Sequence, residues 1–215
     1  MSLVFNVDSD GVVYDWHGFM APYLERVFGK PVQRWDTWDM AAQMGVTKKE
    51  FYKAFDQAVE DGVFRWGEAV PGSIEALRTL VDAGHRVRIV TNKVLKGSYK
   101  SEAAMRDTVR WYSSHQLADQ LEFVFTGSKW GKSGYPADVV IDDKPDLAWV
   151  QPFPAVNILF DQPWNRDGLS NLAQVGQDPN FDNPELYRAV GWGQVLELAE
   201  QIGGGVLLDK SPVVV

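Results

Sequence analysis

The sequence predicts an α/β protein: a Rossmann-like parallel sheet with helices on both faces, carrying a small helical insert after its first strand. Three observations predict it. From residue 71 onward, short apolar runs alternate with longer stretches of helical periodicity, the pattern of strand–helix–strand units. Several of those apolar runs end in polar residues, at the position where open α/β sheets hold their ligands. Residues 16–70, by contrast, contain no convincing buried strand and read as helices. The predicted division is therefore a core of 1–15 and 71–215, with 16–70 inserted as a cap.

Leu3, Val4, Phe5 and Val7 form the first strand, which stops at Asp8 and Asp10 before the turn residue Gly11. In the insert, Met20, Tyr23, Leu24, Val27 and Phe28 recur at helical spacing up to a break at Gly29 and Pro31. Asp15 suits the turn or the cap of that helix. Thr47 and Glu50 form a capping box for a second helix, with Phe51, Phe55, Ala58 and Val59 facing inward. In the core, Ser73 is the expected N-cap of a helix striped by Ile74, Leu77, Leu80 and Val81 and stopped by Gly84. A strand through Val87, Ile89 and Val90 ends at Thr91. A helix over about 99–118 is expected to turn Met105, Val109, Tyr112 and Leu117 inward. Strands follow at 121–126, at 138–143 ending in Asp142-Asp143, and at 155–160. Residues 161–184 read as a long loop, and GWGQVLELAEQI as the last helix. The tail VLLDKSPVVV is left open between an edge strand and a loose end.

Composition narrows the chemistry. The net charge of −8 argues against a nucleic-acid polymer as partner but allows a small phosphorylated ligand held by a metal and a few lysines. With no cysteine, disulfides and thiolate metal sites are excluded. No charged leader and no run of about 18 apolar residues is present, so the expectation is a cytoplasmic protein with no membrane partner. A homodimer is compatible with the sequence, which does not decide oligomeric state.

If the first strand and the strand ending at Asp142-Asp143 are parallel neighbours, four carboxylates converge at one sheet edge. Two like charges about 4 Å apart repel by roughly 4 kcal/mol at an effective dielectric near 20. A hard divalent cation is the economical remedy. His17, His85 and His115 lack metal-ligand spacing and receive no role.

The polar residues at four strand ends are Asp8 and Asp10, then Thr91, then Lys129 or Lys132, then Asp142-Asp143. This set resembles the four motifs of the haloacid dehalogenase (HAD) superfamily. Within it, DSDGVVYDW, PGSIEAL, VTNKVLK, TGSK, DVVIDDKPD and ILFDQPWN are similar to the 5'(3')-deoxyribonucleotidases. The resemblance implies a HAD-like core and a magnesium-dependent phosphatase of (deoxy)ribonucleoside monophosphates, a small-molecule substrate. It implies Asp8 as nucleophile, Asp10 as acid/base, and Mg²⁺ held by the Asp8 side chain, the Asp10 carbonyl and Asp143, with Asp142 direct or through water. Thr91 and the Asn92 backbone would bind phosphate oxygens, and a lysine would neutralise the aspartyl-phosphate. Lys129 fits the loop start and is preferred; Lys132 fits the count back from Asp142. Asn92 stands where those enzymes carry serine. Arg106 is carried over as a further cation, and Trp16, Phe64 and Trp38 as aromatics against the base. The rival readings are a phosphatase of another small phosphomonoester, such as a sugar phosphate, and a non-catalytic nucleotide-binding protein of the same fold.

Overall fold

Apolar β-branched and aromatic residues build the sheet. In a computed structural model that describes residues 1–32, 36–37, 39–95, 98–144, 156–166 and 186–204 (the side chains of Ser98, Lys129, Trp130 and Leu186 apart), six strands pair in parallel. They are β1 (Val4–Val7), β2 (Arg86–Asn92), β3 (Glu122–Thr126), β4 (Val139–Asp142), β5 (Val156–Phe160) and β6 (Leu186–Ala189), in the order β3-β2-β1-β4-β5-β6. Near-continuous apolar runs such as VVI and VNILF suit strands buried on both faces. β6 falls just beyond the stretch read as a loop. Its four residues include Tyr187 and Arg188, too short and too polar to announce a strand; pairing with β5 makes it one.

β1 lies between β2 and β4, with Val7 opposite both Ile89 and Ile141. The carboxyl ends of β1, β2 and β4 therefore finish side by side. The β2–β3 crossover moves outward and carries α5 (Ser98–Ser114); the β3–β4 crossover returns past β1 and carries α6 (Lys129–Ser133). Right-handed connections put these two helices on opposite faces.

The predicted helices form as α1 (Trp16–Phe28), α3 (Lys48–Glu60), α4 (Ser73–Asp82) and α7 (Trp192–Gly203), and a short helix that the sequence reading does not contain, α2 (Met40–Gln43), precedes α3. Asp15 caps α1 by accepting from the Gly18 N–H at 2.8 Å, and Gly29 ends that helix in the left-handed region. Val27 is nevertheless exposed, since the buried stripe runs through Met20, Tyr23 and Leu24. The Thr47–Glu50 capping box forms as expected. Ser73 differs: Gly72 occupies the cap position, and the buried Ser73 hydroxyl donates instead to the Val13 carbonyl at 3.0 Å. In α5 the buried face is Ala104, Thr108, Trp111 and Tyr112, with Met105 and Val109 only half-buried beside it. The tail VLLDKSPVVV, apart from its place after α7, lies outside the described residues.

Among the described residues, 16–60 contribute α1, α2 and α3 and no strand of the sheet. The chain leaves and re-enters the core through one stem. The Val70 N–H donates to the Val13 carbonyl at 2.8 Å, and the Asp15 N–H to the Glu68 carbonyl at 2.9 Å. The Tyr14 hydroxyl donates to the Val63 carbonyl and accepts from the Gly67 N–H at 2.8 Å. A Cβ on Gly67 would lie 2.3 Å from that hydroxyl oxygen, so only glycine admits this approach. Trp111 of α5 seals the stem by donating its indole N–H to the Gly67 carbonyl at 2.8 Å.

Candidate active site

Asp8 directly follows β1, and its backbone N–H still donates to the Ile141 carbonyl of β4 at 2.9 Å. That last bond holds the Asp8 side chain against the end of β4. Carboxylate oxygens of Asp8, Asp142 and Asp143 lie within 4.8 Å of one another, and all three residues are buried. One Asp8 oxygen accepts from the Ser9 N–H at 2.7 Å. The other meets the Lys132 ammonium at 2.6 Å, and the same nitrogen lies 2.8 Å from Asp142. Of the two candidate lysines, the structure shows Lys132 in contact with Asp8. Lys129 opens α6 one helical turn earlier, and its side chain lies outside the described residues.

Asp8 and Asp142 both meet that ammonium, with Asp143 beside them. Burial pushes Asp142 up to about 6 against the pull of Lys132. Burial drives Asp143 well above the usual carboxylate range, with the charges of Asp142 and Asp8 adding to it. Burial opposes the charge on Lys132, but Asp142 and Asp8 outweigh it and raise its pKa above the ordinary lysine value. Such a cluster lacks positive charge. An all-oxygen donor set of this kind suits Mg²⁺, and the residues therefore fit the expected metal. Asp143 is also held from behind: one of its oxygens accepts the Trp164 indole N–H at 2.9 Å, and Asn165 donates to its carbonyl at 2.8 Å.

Asp10 stands apart from this cluster. One of its oxygens meets the ammonium of Lys93 at 2.5 Å, and the other is buried with no partner among the described residues. Burial pushes the Asp10 carboxyl up, opposed by Lys93 and assisted by Asp8. That direction favours a carboxyl able to give a proton. Lys93, fully buried, has its pKa pulled down by burial and held up by Asp10.

A cleft of about 640 Å³ opens over these groups, lined by Asp8, Asp10, Thr91, Asn92, Lys132 and Asp143 from the core. Trp16, His17, Met40, Phe55 and Phe64 line it from the insert, and Lys144 from the end of β4. Thr91 is buried at the end of β2. Asn92 lines the cleft while its side-chain oxygen accepts from the Thr126 hydroxyl. Trp16 and Phe64 line the cleft; Trp38 lies outside the described residues. Arg106 is a correction: it does not line the cleft, and its side chain is 54% exposed and pairs with Asp107. Two positions past Ala104, it points away from the buried face of α5.

His17, Lys93 and Trp164 have no role in the sequence reading and yet shape the site. The His17 ring stacks on Trp164 with centroids 3.6 Å apart, and burial pushes its pKa down to about 3, so it is neutral at pH 7. Lys93 has one local signal, a charge directly after the strand-end TN. Trp164 and His17 have none, because their contact spans 147 residues between two elements (164 minus 17).

Gly11 ties the parts together. It has φ +78°, and a Cβ there would lie 2.6 Å from an Asp143 oxygen and 3.1 Å from the Trp164 ring. Gly11→Ala is expected to cost about 1–2 kcal/mol in the left-handed region alone and to displace Asp143. Thermal melts with and without Mg²⁺ check this: the melting temperature should fall and the Mg²⁺-induced increment shrink. A variant melting like the wild type in both conditions contradicts it.

The parallel sheet, with acids, a threonine and a lysine gathered at its carboxyl edge, has the fold of the haloacid dehalogenase-like hydrolases. The fold is shared with a haloacid dehalogenase-like hydrolase of Streptococcus pneumoniae (TM-score 0.61, 12% identity, 92% of this chain and 98% of that one). It is also shared with a magnesium-bound HAD hydrolase of Bacillus subtilis (TM-score 0.51, 13% identity, 92% and 98%). The chain belongs to the family described as 5' nucleotidase, deoxy (pyrimidine), cytosolic type C, whose model matches residues 2–175. A Chlorobaculum tepidum protein provisionally named a 5'(3')-deoxyribonucleotidase is 30% identical over 151 residues, covering 67% of this chain and 71% of its own length. The chain is accordingly a phosphoric monoester hydrolase. No helix among the described residues is long and apolar enough to cross a membrane.

Proposed function

We propose that the protein is a cytosolic, Mg²⁺-dependent phosphatase of (deoxy)ribonucleoside monophosphates that works through an aspartyl-phosphate. The observation that carries this reading is the pairing of the Asp8–Lys132–Asp142 cluster with an aromatic wall from the insert over the same cleft. The family description and the provisional name of the C. tepidum relative support the nucleotide.

An Asp8 oxygen attacks phosphorus, the bond from phosphorus to the leaving oxygen breaks, and the Asp10 carboxyl gives that oxygen its proton. Water then attacks the phosphorus of the aspartyl-phosphate, Asp10 takes the water's proton, and Asp8 leaves as a carboxylate. Splitting the hydrolysis replaces one hard step with two easier ones. Lys132 neutralises the charge that Asp8 carries before attack and after release. Thr91 and the Asn92 backbone hold phosphate oxygens. The Asp8 side chain, the Asp10 carbonyl and Asp143, with Asp142, would hold Mg²⁺. When bound, the metal offsets repulsion between phosphate and nucleophile, as suits a fold seen with magnesium in the B. subtilis hydrolase. Trp16 and Phe64, helped by Phe55 and Met40, receive the base. Stacking contributes about 1–3 kcal/mol per base, enough to favour a nucleotide over a sugar phosphate. Residues 16–70 thus act as the cap.

Phosphate release from a panel of purine and pyrimidine monophosphates and sugar phosphates tests this reading. Deoxyribonucleotides should turn over best with Mg²⁺, and EDTA should stop the reaction until Mg²⁺ is restored. Activity confined to sugar phosphates overturns the nucleotide assignment.

A further inference from the structure

Lys93 is buried completely, does not line the cleft, and spends its charge on Asp10. Its backbone is anchored by a 3.0 Å hydrogen bond from its N–H to the Thr126 carbonyl. Its ammonium sits 3.7 Å from the centroid of Phe64, a ring of the cleft wall. Lys132 and Lys144 line the cleft, whereas Lys93 does not and meets the Asp10 carboxyl and the Phe64 ring.

We propose that Lys93 is a positioning residue: by gripping one oxygen of Asp10 it fixes that carboxyl at the cleft for proton transfer to the leaving group, and it ties the carboxyl to the cap through Phe64. The proposal rests on the acid/base role given to Asp10 above. With one oxygen held by the ammonium, rotation of the carboxyl is arrested while Asp10 still lines the cleft. The cation also lies over an aromatic face, a contact favoured when desolvated, so the segment that receives the base also helps hold the acid.

The test compares two leaving groups. Deoxyuridine 5'-monophosphate loses a sugar alkoxide that must be protonated, whereas 4-nitrophenyl phosphate loses a stable anion that need not be. In single-turnover measurements of phosphoenzyme formation, Lys93→Met should slow the nucleotide by about 10²-fold, within the range assigned to positioned proton transfer, and 4-nitrophenyl phosphate by less than about fivefold. Lys93→Gln, which still donates a hydrogen bond, should fall between wild type and Met on the nucleotide and decides the matter if the Met variant does not fold. Equal slowing of both substrates in the folded variant overturns the proposal, because a merely structural lysine acts on both alike. Asp10→Asn separates the premise from the inference. If it shows the leaving-group selectivity and the Lys93 variants do not, Lys93 alone is misassigned. If Asp10→Asn slows both substrates equally, the acid role fails, and the proposal with it.

Discussion

Asp8→Asn abolishes turnover of every phosphomonoester and leaves the protein folded: this is the expected result with the largest effect. The amide is nearly the same size as the carboxylate and can still accept from the Ser9 N–H, which bonds Asp8 at 2.7 Å. It cannot form a stable acyl phosphate. Loss of a nucleophile costs on the order of 10⁴-fold or more in turnover. Stability should hold or rise without metal, since one of three crowded carboxylates becomes neutral and Lys132 keeps its 2.8 Å partner Asp142. Phosphate release, acid-quench trapping of labelled phosphoenzyme and a thermal melt check the three parts together. Turnover surviving in a folded Asp8→Asn variant would rule out the covalent route.

Lys132→Met should injure both stability and rate. Removing one partner from a buried charge cluster typically costs about 3–5 kcal/mol, because the remaining charges lose their compensation. For a chain of this length that corresponds to a fall of roughly 10 °C in melting temperature without metal. Mg²⁺ should return more of the loss to the variant than it adds to the wild type, because it supplies the missing positive charge. Turnover should still fall by about 10²–10³-fold with saturating Mg²⁺, the usual scale for one fixed electrostatic group. Lys129→Met is the comparison, expected to keep near wild-type turnover. The opposite ranking of the two variants would return the role to Lys129.

The strand ends are legible in the sequence because each combines a buried apolar run with a residue that strands reject. Asp8, Asp142 and Asp143 announce themselves in this way, and parallel pairing in the order β2-β1-β4 does the rest. The choice between Lys129 and Lys132 is not legible, since both sit in one short helical segment and only its docking against β1 and β4 decides which ammonium reaches Asp8. Arg106 is misread for a related reason. Periodicity finds the helix, but the buried stripe through Ala104, Thr108 and Trp111 fixes which side faces the core. Lys93 is hidden by its type, as a lysine after a strand reads as solvated until its slot against Asp10 and Phe64 is seen.

The stem formed by residues 13–15 and 67–70 has a consequence for how such enzymes diversify. The chain departs from the sheet and returns to it at hydrogen-bonding distance, Val13 to Val70 and Asp15 to Glu68. Lengthening, shortening or exchanging what lies beyond that clasp is expected to leave the register of β1 against β2 unchanged. On the proposed function, substrate range is expected to drift through residues 16–70 while the proposed hydrolytic groups stay under separate constraint. Residues that face both sides, among them Phe64 against Lys93, His17 against Trp164 and Asp56 against Lys100, oblige the two to change in step.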